Sequence, residues 1–254
     1  MSGRWVVVGT AAVAAVAAAG VLGAWWFLLR DVAEPATVGE AVAAYRQDGA
    51  GGRSTIPPGV YVYATDGSER VDALGGTTHR YPRTSTITVS AVPCGVRLRW
   101  DVLRGRSTAW TVCTGASGWT ERSSHERHTF FGVTDATTYR CNGTPFRPAG
   151  DRPGTTFTVD CSTGKATEQG TGRVVRRQTV RVGGTPVPAV QVRTTTSFAG
   201  DTTGSATNDF WLARETGLPV RIGMVSRTTT GSLVGDVHYE ERVSLRLVSL
   251  TPRR

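Results

Sequence analysis

Lysine is almost missing from this chain of 254 residues: Lys165 stands alone, and arginine carries nearly all of the positive charge behind the formal +9. Cysteine is scarce as well, and none of the four lies in a C-x-x-C pair, so zinc-ribbon spacing is absent. Long stretches at helical period are rare after residue 50, while Gly and Thr are abundant, which points to strands and turns. A single-sign stripe is also lacking. Arg97, Arg99, Arg104 and Arg106 are interrupted by Asp101, and Glu240 and Glu241 lie beside Arg242. Nucleic-acid proteins concentrate positive charge on one face. The basic balance therefore reads as a solvated surface, with attraction to an anionic envelope or lipid headgroup as the alternative, and nucleic acid is not an expected partner.

Catalytic signatures are missing too. An α/β hydrolase needs G-x-S-x-G at a strand-to-helix turn; the nearest string, Gly115-Ala116-Ser117-Gly118, has the wrong spacing. His125 and His128 are three apart in a segment of period two, which sends their rings to opposite faces of a strand. With His79 and His238, they read as surface or partly buried histidines. Glu240 and Glu241 are adjacent in a strand and face opposite sides, so they cannot pair as acid and base; Asp209 and Asp236 are single acids. Asn142-Gly143-Thr144 reads as a turn. The expectation is a non-enzyme with no catalytic, cofactor-binding or metal-binding residues.

What the chain does have is one long apolar run. Trp5 to Leu29 carries no charge, and about 25 residues at 1.5 Å each give roughly 37 Å, enough to cross a hydrocarbon core of about 30 Å with some tilt. Trp5 marks one membrane interface and Trp25 with Trp26 the other. Arg4 precedes the run, and Asp31 and Glu34 follow Arg30, so the positive-inside tendency leaves the short tail in the cytoplasm and the rest outside. The rival is a cleaved signal peptide, with Ala17-Ala18-Ala19 as small residues for a peptidase. Cleavage there would leave VLGAWWFLL exposed, so an uncleaved single-span anchor in the cell membrane is expected.

Cys94, Cys113, Cys141 and Cys161 all lie beyond that run, in what would be an oxidising compartment. Sequential pairing, Cys94–Cys113 and Cys141–Cys161, would close loops of about 20 residues, each stabilising by roughly 3 kcal/mol in the chain-entropy model. A cytoplasmic domain would instead hold four buried thiols.

Three regions follow: tail and anchor over 1–30, a short helix and Gly-rich linker over 31–56, and a β domain over 57–254. Thr37 and Glu40 form a capping box, and Val38, Ala41, Val42 and Tyr45 make one apolar face that favours docking over a free stalk. From residue 57 the period becomes two. Strands are expected at 59–65, 84–92, 96–103, 108–114, 155–162, 172–182, 188–198, 206–213, 218–229 and 235–247, with Asp66-Gly67, Gly183-Gly184 and Gly200-Asp201 as turns. The stretch 118–133 is open between a strand pair and an irregular crossing. Trp100, Trp110, Trp119 and Trp211 read as core. The fold expected is mainly β: a curved antiparallel sheet or partial barrel with one short N-terminal helix after the anchor, or a closed sandwich.

Phe210 to Arg221 (FWLARETGLPVR) resembles envelope proteins of the lipoprotein-localisation-factor type. That likeness implies an incomplete barrel whose mouth helices cover and whose concavity carries lipid. Cys94-Gly95-Val96 with Trp100, and Phe130-Phe131-Gly132 before Tyr139-x-Cys141, resemble membrane-anchored envelope proteins of actinobacteria. That likeness spans most of the chain and implies the anchored layout without an activity. The function expected is non-catalytic binding of a lipid or other hydrophobic ligand on the concave face. The alternative is a protein-interaction or assembly module with an envelope partner.

Overall fold

The computed structural model describes residues 31–48, 54–116, 118–232 and 235–254. Thirteen strands form one antiparallel sheet. They are β1 Gly59–Val71, β2 Thr77–Arg80, β3 Thr84–Val92, β4 Gly95–Leu103, β5 Arg106–Gly115, β6 Gly118–Phe130 and β7 Val133–Pro148, then β8 Thr156–Ser162, β9 Ala166–Val182, β10 Thr185–Gly200, β11 Thr202–Ala213, β12 Pro219–Ser232 and β13 Gly235–Leu247. From β3 onward each strand pairs with the next, a meander.

The ring then closes. β1 pairs with β3 over residues 59–64 on one edge and with β13 over residues 63–71 on the other. The expected curved antiparallel sheet is therefore a closed barrel, which leaves no long unpaired edge to template aggregation. Where β1 leaves β3, the short β2 takes over from Ser68 to Val71. Asp66-Gly67, expected as a turn, lies at this change of partner inside the strand. A Cβ on Gly67 would stand 2.3 Å from the Arg242 carbonyl oxygen, so the residue serves a close backbone approach rather than a reversal.

The segment from Asp31 to Ala36 occupies the notch beside β2. The Arg104 amide donates to the Glu34 carbonyl at 2.9 Å, the Ala36 amide donates to Val102 at 3.2 Å, and the Asp31 carboxylate meets His79 of β2 at 2.8 Å. Helix α1, Val38–Gln47, starts at the expected capping box. It lies on the outer wall against β1 and β3 with Tyr45 buried, and Arg46 donates to the Arg254 carbonyl at 2.7 Å. It does not lie across the barrel mouth, unlike the helices implied by the half-barrel resemblance.

Alternation places one set of side chains inside and a wet set outside, including Arg173, Arg177 and Arg181 of β9. The barrel interior is filled unevenly. In the half holding the β3–β4, β9–β10 and β11–β12 turns, Tyr63, Leu98, Trp100, Leu212, Ile222 and Leu245 are all at 0% exposure. Trp110 meets Phe210 edge-on, with centroids 5.7 Å apart. This half is a closed core. The stretch left open over 118–133 is β6 and the turn into β7, and Asn142-Gly143-Thr144 lies within β7 rather than at a turn. There the β6–β7 register slips between Glu121 and Ser123, and Thr144 accepts from the Asp160 amide at 3.0 Å. The triplet is a bulge.

Both cysteine pairs are bonded, Cys94 to Cys113 and Cys141 to Cys161. The first joins the β3–β4 turn to β5. The second bridges residues directly opposite each other on β7 and β8.

Candidate ligand cavity in the open half of the barrel

Above the packed core lies a layer of buried charge. Arg106, which sequence reasoning placed on the solvated surface, is 2% exposed because its position on β5 points inward with Thr108 and Trp110. Its guanidinium is paired on both sides: Nε and Nη2 donate to the two Glu241 oxygens at 3.1 and 2.8 Å, and Glu69 lies 3.7 Å away. Nη1 donates to Thr108 Oγ1 at 2.6 Å, and Tyr81 donates to Glu241. Glu240, its neighbour, faces outward to Arg227, as adjacency in a strand requires.

Glu69 gathers His79 at 3.1 Å, His128 at 3.2 Å and the Tyr239 hydroxyl at 3.2 Å. Burial alone would raise its carboxyl. The hydrogen bonds from His128 and His79 and the charge of Arg106 outweigh that and hold it down to about 2. His79 and His128 are both raised although burial pulls them down: His79 by Glu69 and Asp31, His128 by Glu126 and Glu69 against Arg106. His79 also stacks on Phe130 at 4.7 Å. His125, on the opposite face, bonds Thr138 at 2.9 Å.

This charged layer is the floor of a cavity of about 460 Å³. Its walls include Phe130, Tyr139, Phe198, Ala206 and Met224, and its rim carries Leu74, Phe131 and Val133. Glu126 and Glu168 line the wall beside this floor. Burial pushes Glu168 up to about 7, with Glu126 adding repulsion; its side chain accepts from Thr196 at 3.0 Å. Nearby Glu121, opposite the buried Val112, is pushed up to about 8 by burial and then by Glu168 and Glu126. Glu126 goes the other way, because His128 and Arg106 outweigh its burial.

A larger groove of about 640 Å³ runs outside the barrel between α1 and the wet face of β3 and β4, lined in part by Arg97, Arg99 and Asp101. Its charged wall suits water. The interior cavity mixes apolar walls with polar side chains such as Thr137, Thr202, Asn208 and Thr228, a lining that suits an amphipathic ligand.

The disulfide cysteines lie on the barrel wall, and Tyr139, Cys141, Val159, Cys161 and Ala166 form a small cluster beside the cavity. Trp5, Trp25 and Trp26, read as membrane-interface residues, lie outside the described residues. Among the described residues, no helix is long and apolar enough to cross a membrane, and no group of three His, Cys, Asp or Glu side chains is placed to hold a metal. The E-T-G-L-P turn is a tight reversal at the closed end. The Gly217 amide donates to the Ala213 carbonyl at 2.7 Å, and the glycine sits under the Trp119 ring. No family model, curated protein or solved structure matches the chain, so no catalytic family is indicated.

The sequence did not expose Arg106, Glu69, Glu241, His79 or Glu168 as interior groups. The available signal was parity. Arg106 shares its strand face with Thr108 and Trp110, and Glu241 shares one with Val243 and Leu245.

Proposed function

We propose that this chain is a non-catalytic, membrane-anchored envelope protein that holds a hydrophobic or amphipathic ligand in the open half of its barrel. In this reading residues 5–29 cross the membrane once and the barrel lies outside the cytoplasm, in keeping with the likeness to membrane-anchored envelope proteins. The observation that carries the ligand reading is the 460 Å³ cavity, whose aromatic and aliphatic walls are interspersed with Thr137, Thr202, Asn208 and Thr228 above a charged floor in which Arg106 is paired. That volume falls within the roughly 300–1,000 Å³ of small-ligand sites.

The polar groups narrow the ligand. The Arg106 guanidinium is already neutralised by Glu241 and Glu69, so it offers an incoming carboxylate or phosphate no uncommitted charge. Glu126 and Glu168 face the cavity instead and suit a ligand whose polar end donates hydrogen bonds, a hydroxyl or an amine.

Mass spectrometry of organic extracts tests this, comparing the full chain purified from membranes with Ala206→Trp, which fills the cavity. A defined lipid present with the wild type and lost from a folded Ala206→Trp supports the reading. Equal lipid in both, or in neither, removes it. An empty cavity with a stable crosslinked protein would favour the assembly-module alternative.

A further inference from the structure

The barrel has two unlike ends, and the chain enters it at the open one. Asp31 is the first described residue, and it is held in place: its carboxylate meets His79 at 2.8 Å, and its side chain is 7% exposed. Val32 to Ala36 then run beside the β4–β5 turn through the Glu34 and Ala36 backbone bonds. Only Arg30 separates this fixed point from the uncharged run ending at Leu29. One extended residue spans about 3.5 Å. If residues 5–29 span the bilayer, the open end is tethered with almost no slack, and the opposite end stands off by the height of β1, whose 13 residues at about 3.3 Å each project to roughly 30–35 Å along the axis at a barrel strand's usual tilt.

The open end is also apolar at its tips. Val133 is 72% exposed, Val32 65% and Leu74 56%. Among the described residues the other large exposed apolar side chains, Val248 and Leu250, follow β13 at the far end. Leu74 and Phe131 hold positive φ, 53° and 51°, where a bulky side chain is an outlier. The two turns thus keep apolar side chains at the mouth at a backbone cost. Leu74, Phe131 and Val133 are at once the rim of the cavity and part of this apolar tip.

We infer that the open end of the barrel docks on the phospholipid bilayer that holds the anchor, with Val32, Leu74 and Val133 at the level of the headgroups and the cavity opening onto the membrane. This rests on the anchor reading given above, and it explains why the cavity opens at the tethered end. A ligand that partitions into lipid would then pass between bilayer and cavity without crossing water.

The test uses the full chain reconstituted into vesicles of phosphatidylethanolamine and phosphatidylglycerol. Nitroxide labels go on Val133→Cys, Leu74→Cys and, as the far-end control in the β11–β12 turn, Glu215→Cys. Collision with oxygen and with a water-soluble nickel chelate is read by electron paramagnetic resonance. Labels at 133 and 74 should favour oxygen several-fold relative to the label at 215. Equal exposure to the nickel chelate at all three sites, in protein that floats with the vesicles, overturns the docking while leaving the anchor intact. Failure to float overturns the anchor, and the docking with it. Shielded labels with no lipid in the extracts of the cavity test uphold the docking and remove the ligand reading alone.

Discussion

Cys141 and Cys161 face each other across the thinnest seam of the barrel. β7 and β8 share two register pairs, Arg140 with Ser162 and Cys141 with Cys161, whereas β9 and β10 are paired along their whole length. The disulfide therefore does at this seam what a ladder of backbone bonds does elsewhere. Cys94–Cys113 spans a similar separation, 19 residues against 20, but lies where β4 and β5 are already paired from Gly95 to Leu103.

The two bridges should therefore differ in effect despite nearly equal loops. Loop entropy alone assigns each about 3 kcal/mol. Cys141→Ser with Cys161→Ser should lower the melting temperature more than Cys94→Ser with Cys113→Ser. It should also speed amide exchange in β7 and β8 ahead of the other strands. Equal losses, with exchange unchanged at the seam, would show that the β6–β7 and β8–β9 ladders hold the ring without it.

Arg106 should be among the costliest positions to change. Arg106→Met leaves Glu241 without its two charge-assisted bonds and Glu69 without its nearest guanidinium. Removing one partner of a buried ion pair costs about 3–5 kcal/mol. Adding Glu241→Gln should recover part of that loss, because the stranded charge goes with it. Urea unfolding of the two single variants and the double variant measures the coupling. Strict additivity would mean that the pair is not linked.

How far the sequence disclosed this layout depended on whether a signal was local. The α1 cap, the ends of β3 and β13 and the Gly183-Gly184 turn are written in neighbouring residues, and they fall where the pattern puts them. Closure of the ring is not local: it joins Tyr63 to Leu247. The charged floor was hidden for a related reason. Arg106, Glu69 and Glu241 each look solvated alone, and they become interior groups only when three distant strands bring them within 4 Å. Gly67 and Gly143 misled in the other direction, since a glycine read as a reversal also marks a close approach or a bulge.

Gly217 offers a test of the turn that suggested the half-barrel likeness. It has φ +76°, and a Cβ there would stand 2.2 Å from the Trp119 ring. Gly184 has φ +85° with nothing within 4 Å, so alanine there meets only the backbone penalty, about 1–2 kcal/mol. Gly217→Ala should cost more than Gly184→Ala by thermal unfolding, the difference reporting the displacement of Trp119. Equal costs would mean that the ring moves aside freely.

The interior carboxylates should set how stability varies with pH. Glu121 has an ordinary value of 4.5 and is raised to about 8 in the fold, by burial first and then by Glu168 and Glu126. Well below 4.5 the folded and unfolded chains both hold this proton, so Glu121 contributes no pH dependence. As pH rises from there toward 8, the unfolded chain releases the proton and the folded chain keeps it, so stability falls. Glu168, raised to about 7, adds to the same slope. Glu69, held near 2, acts in the opposite sense: its contribution is present above 4.5 and lost as pH falls toward 2. Stability should therefore pass through a maximum on the acid side of neutrality. Glu121→Gln removes one downward limb. Its urea midpoint should match that of the wild type near pH 4 and exceed it near pH 8, by an amount on the order of a few kcal/mol in unfolding free energy. Parallel curves across that range would mean that Glu121 ionises freely in the folded barrel and is not buried beside Glu168.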